Sequence, residues 1–138
     1  MRAISAILIA LVPTVACCNE MRFSSYAFGK TYVTHLTSED LAKTPEWSED
    51  TDNPPLPARK AITLADKMRA KLVKDEKGWN WRRVSASIQF EDDPKRAMWA
   101  ITYEWSDGNP LAGMPHRLRV FVLMDGTVLE PTVSLKKL

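Results

Sequence analysis

The sequence predicts an α+β domain with one main helix packed on an antiparallel sheet of about four to five strands, after an N-terminal signal peptide. Three observations lead to this fold class. An apolar stripe with three- and four-residue steps runs from Ala61 to Leu72. The segments that follow it alternate apolar and polar residues, as half-buried strands do. The first eighteen residues have the composition of an export signal.

The export signal is read from three features of residues 1–18. Arg2 gives a positive start, residues 3–12 form an apolar run, and small residues follow Pro13. The run is too short to span a membrane as a helix of the mature protein. We therefore expect the protein in the periplasm, the cell envelope or the extracellular space.

Both cysteines of the chain, Cys17 and Cys18, lie at the expected cleavage boundary. The small residues before Cys17 are typical of a lipoprotein signal, which makes Cys17 a candidate for lipidation and membrane anchoring. Thr14 stands where such signals usually carry leucine, so ordinary cleavage after Ala16 or Cys18 stays open. In either case the mature domain has no disulfide.

Residues 19–55 are predicted to be an extended N-terminal segment followed by an acidic, proline-containing linker. The residues from 31 to 36 favour a strand, and Thr37 begins a short helical turn that ends near Pro45. The linker covers residues 46–57, and its one large aromatic residue, Trp47, is expected to pin it to the domain. The predicted organisation is thus 1–18, 19–55 and a domain over 56–138.

The main helix is predicted over residues 57–74. Pro57 suits its first turn, where a missing N–H has no consequence. Leu64, Met68 and Leu72 lie on the apolar stripe and are expected to face the sheet.

Four strands are predicted after the helix. Alternation places Val84 on one face with Ala86, Ile88 and Phe90, and it continues through residues 99–105 and 118–124. Asp125-Gly126 predicts a two-residue hairpin before the return strand at 127–130. Pro131 confines the last residues of the chain to a sheet edge.

This order of elements resembles the PepSY-like domains, small exported modules, over roughly Leu56 to Glu130. The resemblance is carried by four stretches. They are the helical Ala61-Ile62-Thr63-Leu64-Ala65, the strand around Val84, the aromatic-rich Met98–Glu104 and the closing Val120–Leu129. It implies a non-catalytic domain near the cell envelope, sometimes linked to binding or restraining peptidases. It implies no active-site residues.

No catalytic, cofactor or metal site is expected from the motifs. The histidines, His35 and His116, lack the spacing of zinc ligands, and the five glycines never cluster into a phosphate-binding loop. A carboxylate metal site at residues 91–93 is the alternative to a solvated acidic turn. Asp125 resembles part of a dehalogenase-like phosphatase loop, but Leu123 occupies the position of its nucleophile. A net charge of +2 argues against nucleic acid as a partner.

Four tryptophans fall in the predicted sheet region. Trp99 and Trp105 are expected in the core across neighbouring strands. Trp79 and Trp81 flank Asn80 at a strand entrance and are the expected exposed pair, which makes them candidates for ligand contact.

The function predicted from these observations is a non-enzymatic exported binding or regulatory module of the cell envelope. It would engage a peptide or peptidase through a sheet edge or an aromatic patch. A small carboxylate-based hydrolase or metal-assisted enzyme is one alternative, and a structural envelope lipoprotein is another. The expected partner is an extracytoplasmic protein or peptide, with membrane contact only through a lipid on Cys17.

Overall fold

The computed structural model describes residues 19–75, 80–91, 93–106 and 116–135. The expected signal peptide, its candidate lipidation site Cys17 and the candidate ligand contact Trp79 lie outside the described residues.

The described residues form two antiparallel sheets and one main helix. The first sheet has the order β1-β2-β7 and the second β3-β4-β5-β6. The elements are β1 (Glu20–Ala27), β2 (Lys30–Thr37), α1 (Ser38–Ala42), α2 (Ala58–Leu72), β3 (Asn80–Phe90), β4 (Ala97–Ser106), β5 (His116–Leu123), β6 (Val128–Leu129) and β7 (Thr132–Leu135). The mixed helix-and-sheet class is confirmed, whereas the expectation of a single sheet is wrong.

The second sheet arises because the N-terminal segment folds back on itself. It forms two strands joined at Phe28 and Gly29, and both of these residues have positive φ, +50° and +73°. Two positive φ values in a two-residue loop are the signature of a type I′ hairpin. β7 then pairs with β2 through Lys30–Val33 instead of extending the four-stranded sheet.

The core lies on both faces of the four-stranded sheet. On β4, Trp99, Ile101 and Tyr103 belong to the cluster that includes α2, whereas Met98 and Ala100 belong to the cluster beneath the first hairpin. β5 divides in the same way, because successive side chains of a strand point to opposite faces. Helix α2 therefore covers one face and the first hairpin the other, which explains why β4 and β5 have buried side chains on both faces.

Helix α2 presents the predicted apolar stripe to the sheet. Ala61 and Ala65 are fully buried, and Leu64, Met68 and Leu72 pack around them on the core. The Tyr103 hydroxyl donates a hydrogen bond to Asp66 Oδ1 at 2.6 Å, which ties the helix to β4. The predicted helix and its inward face are confirmed.

The segment between the two helices is held against the sheet. Trp47 stacks on Phe90 with ring centroids 5.7 Å apart, and its backbone N–H donates to the Lys95 carbonyl at 2.9 Å. The Leu56 carbonyl accepts a hydrogen bond from Trp99 Nε1 at 2.9 Å. The predicted role of Trp47 in pinning this segment is confirmed, and the domain division at residue 56 stays a prediction.

A β-bulge interrupts β3. The register with β4 shifts between Arg83 and Ser85, so Val84 has no partner in the ladder and is 51% exposed. The extra residue keeps Trp81 and Arg83 on the same face as Ile88. Simple alternation puts Arg83 on the face opposite Ile88, and this expectation is wrong because the pattern cannot include an inserted residue.

The closing hairpin has a three-residue loop instead of the expected two-residue one. Gly126 N–H donates to the Leu123 carbonyl at 2.9 Å, and Leu123 N–H donates to the Thr127 carbonyl at 2.8 Å. Gly126 has φ +92°, as in a type I turn followed by a glycine bulge. After Pro131, β7 is an outer strand of its sheet, which confirms the predicted edge.

Candidate functional site

An aromatic pocket of about 420 Å³ lies where the first hairpin turn, the end of α2 and the paired ends of β3 and β4 meet. Such a volume is typical of sites that receive a small ligand or a few side chains. The residues that line this aromatic pocket are Phe28, Lys30, Tyr32, Leu72, Val73, Lys74, Trp81 and Trp105.

Strand pairing brings two tryptophans together in the pocket wall. Trp81 lies directly opposite Trp105 in the β3–β4 ladder. Trp81 is only 7% exposed and belongs to the core cluster, so its expected exposure is wrong. It is held there partly by Asp75, whose Oδ1 accepts the Trp81 backbone N–H at 2.9 Å. Trp99 is in the core as predicted, whereas Trp105 is only half-buried.

Phe28 projects from the hairpin turn onto these rings. Its ring centroid lies 4.6 Å from that of Trp105 in an edge-on arrangement and 4.0 Å from that of His116. The Phe28 backbone N–H donates to His116 Nδ1 at 3.3 Å. The side chain is nevertheless 48% exposed. No sequence pattern singles out Phe28, and the only signal is an aromatic residue directly before Gly29 between two short runs of strand-forming residues.

The pocket carries positive charge, and two polar side chains beside it are buried. Lys30 and Lys74 are exposed lining residues, and neither forms an ion pair with any residue in the described ranges. Burial raises the pKa of Tyr32, which keeps its hydroxyl neutral. The indole N–H of Trp81 is buried without a hydrogen-bond partner in the described part of the chain. Buried donors of this kind are rare in folded proteins.

An apolar strip on β7 continues from the pocket. Val133 lies opposite Tyr32 and Leu135 opposite Lys30, so each shares a sheet face with a pocket residue. Val133 is 46% exposed and Leu135 is 75% exposed. Large apolar side chains are thus left open to solvent next to the aromatic pocket.

The described residues of the acidic segment 91–93 belong to a turn. Asp93 Oδ1 accepts the Lys95 backbone N–H at 2.9 Å, and Asp92 lies outside the described residues. Over the ranges that the structure covers, no three His, Cys, Asp or Glu residues converge as metal ligands would. His35 bonds to Glu20 at 2.7 Å, whereas His116 contacts Phe28.

A carboxyl group that acts as a general acid must hold its proton near neutral pH, and hence needs a raised pKa. Hydrogen bonds from Arg22 and then His35 lower the pKa of Glu20. A hydrogen bond from Thr37 lowers the pKa of Asp40. Asp125 is exposed, and its Oδ1 accepts the Thr127 N–H at 2.8 Å, which is a turn contact. None of these four contacts indicates a general acid.

The chain matches no protein-family model, no curated protein and no solved structure. Among the helices in the described ranges, none is both long enough and apolar enough to cross a membrane.

Proposed function

We propose that this protein is an exported, non-enzymatic binding module of the cell envelope and that its ligand occupies the aromatic pocket. The composition of residues 1–18 supports export, and the PepSY-like order of elements supports a binding or regulatory role. The lining of four aromatic side chains, two aliphatic side chains and two lysines is the mixture that ligand sites use.

The conformation of Phe28 is the observation that carries this proposal. A positive φ costs an L-residue with a bulky side chain roughly 1–2 kcal/mol, and Asn or Gly would suit the turn better. Half of the side chain lies in solvent, so packing against Trp105 and His116 accounts for only part of the choice. Residues held in unfavourable backbone conformations cluster at ligand-binding positions.

A peptide-binding screen on the purified protein without its signal peptide tests the proposal. Short peptides are titrated into the wild type and the Phe28→Asn variant, and binding is followed by changes in amide NMR shifts. We expect binders that shift pocket resonances in the wild type and lose affinity in the variant. Tyr26→Asn is the matched control, because Tyr26 is an equally exposed aromatic residue of the same hairpin outside the pocket lining. Binders unaffected by Phe28→Asn, or a screen without binders, would contradict the proposal.

Pairing of a peptide along β3 is a second candidate. β3 is an outer strand of the four-stranded sheet, and its residues Arg82–Ser87 are all exposed. An outer strand presents a row of backbone groups to which an extended peptide can add. Three results would favour this candidate over the pocket. The peptide-induced amide shifts would be confined to β3, Arg82→Glu would weaken the binding of acidic peptides, and Phe28→Asn would leave binding unchanged.

A further inference from the structure

We infer that the aromatic pocket receives the carboxyl terminus of a peptide that ends in a large apolar residue. The apolar side chain lies against the pocket rings, and the terminal carboxylate lies between Lys30 and Lys74. This inference rests on the proposed function and names the ligand class of the same site.

The apolar part of the ligand follows from the pocket wall. The rings of Phe28, Trp81 and Trp105 meet there with Leu72 and Val73 from the end of α2. Phe28 and Trp105 are already in an edge-on arrangement that leaves part of each ring exposed. A large apolar or aromatic side chain would bury those ring surfaces and is favoured by the geometry of aromatic pairs.

The negative part of the ligand follows from the charges at the margin. Lys30 comes from β2 and Lys74 from the chain just after α2, so two lysines line the pocket from different elements. Among the residues that the structure describes, those lining the pocket include no acidic one. The nearby carboxylate of Asp75 is already engaged by Arg69 at 3.3 Å and by the Trp81 backbone. Lysines that form no ion pair within the described part of the chain, set beside apolar walls, attract an anion and strengthen its binding.

The β7 strip indicates a peptide rather than a small free acid. Val133 and Leu135 share their sheet face with Tyr32 and Lys30 and are left exposed beside the pocket. β7 is also an outer strand, so one side of its backbone is available to an extended chain. A ligand confined to the pocket would leave this strip uncovered, whereas the residues before a peptide terminus would lie across it.

The test uses the full-length mature protein and three probes that end in phenylalanine. They are a fluorescent Ala-Ala-Ala-Phe peptide with a free carboxylate, the same peptide as its terminal amide, and N-acetylphenylalanine as a competitor. We expect the acid to bind about tenfold more tightly than the amide, since a charge-assisted pair contributes at this level. Lys30→Gln and Lys74→Gln should each remove that preference without changing the amide affinity. Lys67→Gln, a change at an exposed lysine of α2 outside the pocket lining, is the matched control and should leave it intact.

The outcomes separate this inference from the proposed function. If the acid and the amide bind equally and Phe28→Asn abolishes both, the assignment of a terminal carboxylate is wrong, whereas the proposed binding function stands. N-acetylphenylalanine that competes as strongly as the peptide acid would overturn the peptide assignment. Absence of binding by all three probes would overturn the inference, and the wider peptide screen then decides the proposed function on its own.

Discussion

At the scale of single residues, Phe28 combines an unfavourable backbone with favourable ring contacts, and two substitutions separate these contributions. Phe28→Ala removes the contacts to Trp105 and His116 but keeps a Cβ, for which positive φ is unfavourable. Phe28→Asn removes the same contacts but tolerates the turn. We therefore expect the Asn variant to be more stable than the Ala variant by about 1 kcal/mol in urea unfolding. Equal stability of the two variants would mean that the turn is not strained.

Tyr103 gives a prediction about alkaline pH. Burial, and then the hydrogen bond to Asp66, raises the pKa of Tyr103 well above its usual value. Above about pH 10 the unfolded chain releases this proton while the folded protein keeps it, so the free energy of unfolding decreases as pH rises. Below that pH the contribution is complete. We expect Tyr103→Phe to flatten this alkaline loss, measured by urea unfolding between pH 8 and pH 11.

Tyr32 is the control for the alkaline experiment, because burial raises its pKa in the same direction. Tyr32→Phe should remove only its own share of the alkaline loss. A wild type whose stability does not change above pH 10, or a Tyr103→Phe variant with the same slope as the wild type, would contradict the argument.

At the scale of elements, the apolar stripe of α2 predicts a contrast between neighbouring helix positions. Leu64 packs on the core cluster, so Leu64→Ala should decrease the free energy of unfolding by about 2 kcal/mol or more. Lys67 is exposed one turn later, and Lys67→Ala should change stability by no more than about 0.5 kcal/mol. Similar losses at both positions would show that the helix does not bury this face. Chemical denaturation followed by circular dichroism measures both.

The closing hairpin predicts opposite sensitivities at adjacent positions. A Cβ on Gly126 would find its nearest atoms at 3.8 and 4.0 Å, which is ordinary contact, so the penalty comes from φ +92° alone. Gly126→Ala should therefore cost about 1 kcal/mol in urea unfolding. Asp125→Asn should leave the free energy of unfolding nearly unchanged, because an amide oxygen also accepts the Thr127 N–H. Lost ligand binding in a fully folded Asp125→Asn protein would contradict a purely structural role for this turn.

Sequence patterns predicted the elements better than their arrangement. The α2 stripe and the alternation in β4 and β5 correctly identify the residues of the core that includes α2. Alternation did not predict that the opposite face of these strands is also buried, as it is at Ala100 and Phe121 beneath the first hairpin. The first hairpin was not predicted because Phe28-Gly29 lacks the usual turn chemistry. The predicted alternation in β3 failed at Val84, where a bulge inserts one residue. Periodicity also contains no information on which strands pair, so the pairing of β2 with β7 could not be predicted.

The candidate site was predicted only through the tryptophans. Trp81 was a candidate ligand contact and does line the pocket, although it was expected to be exposed. Phe28, Lys30 and Lys74 come from other parts of the chain, and none belongs to a motif. A pocket assembled from distant elements leaves no local pattern in the sequence.

At the scale of the whole molecule, residues 1–18 predict where the protein resides. Fractionation of cells that express the full chain with a C-terminal tag should place it outside the cytoplasm. If Cys17 is lipidated, the wild type should be in the membrane fraction and Cys17→Ser should move to the soluble extracytoplasmic fraction. Cys18→Ser is the matched control. Protein retained in the cytosol would contradict export, and a wild type that is already soluble after export would contradict the lipid anchor.

The pairing of β2 with β7 also has a consequence for how the chain folds. The first hairpin can form as soon as it is synthesised, but the partner of β2 lies beyond α2 and the entire four-stranded sheet. Contacts between such distant segments form slowly. During that interval the β2 edge is open, and β7 from a second copy fits it as well as its own does. Refolding at high concentration should therefore yield dimers that exchange β7, a form of domain swapping that dilute refolding avoids.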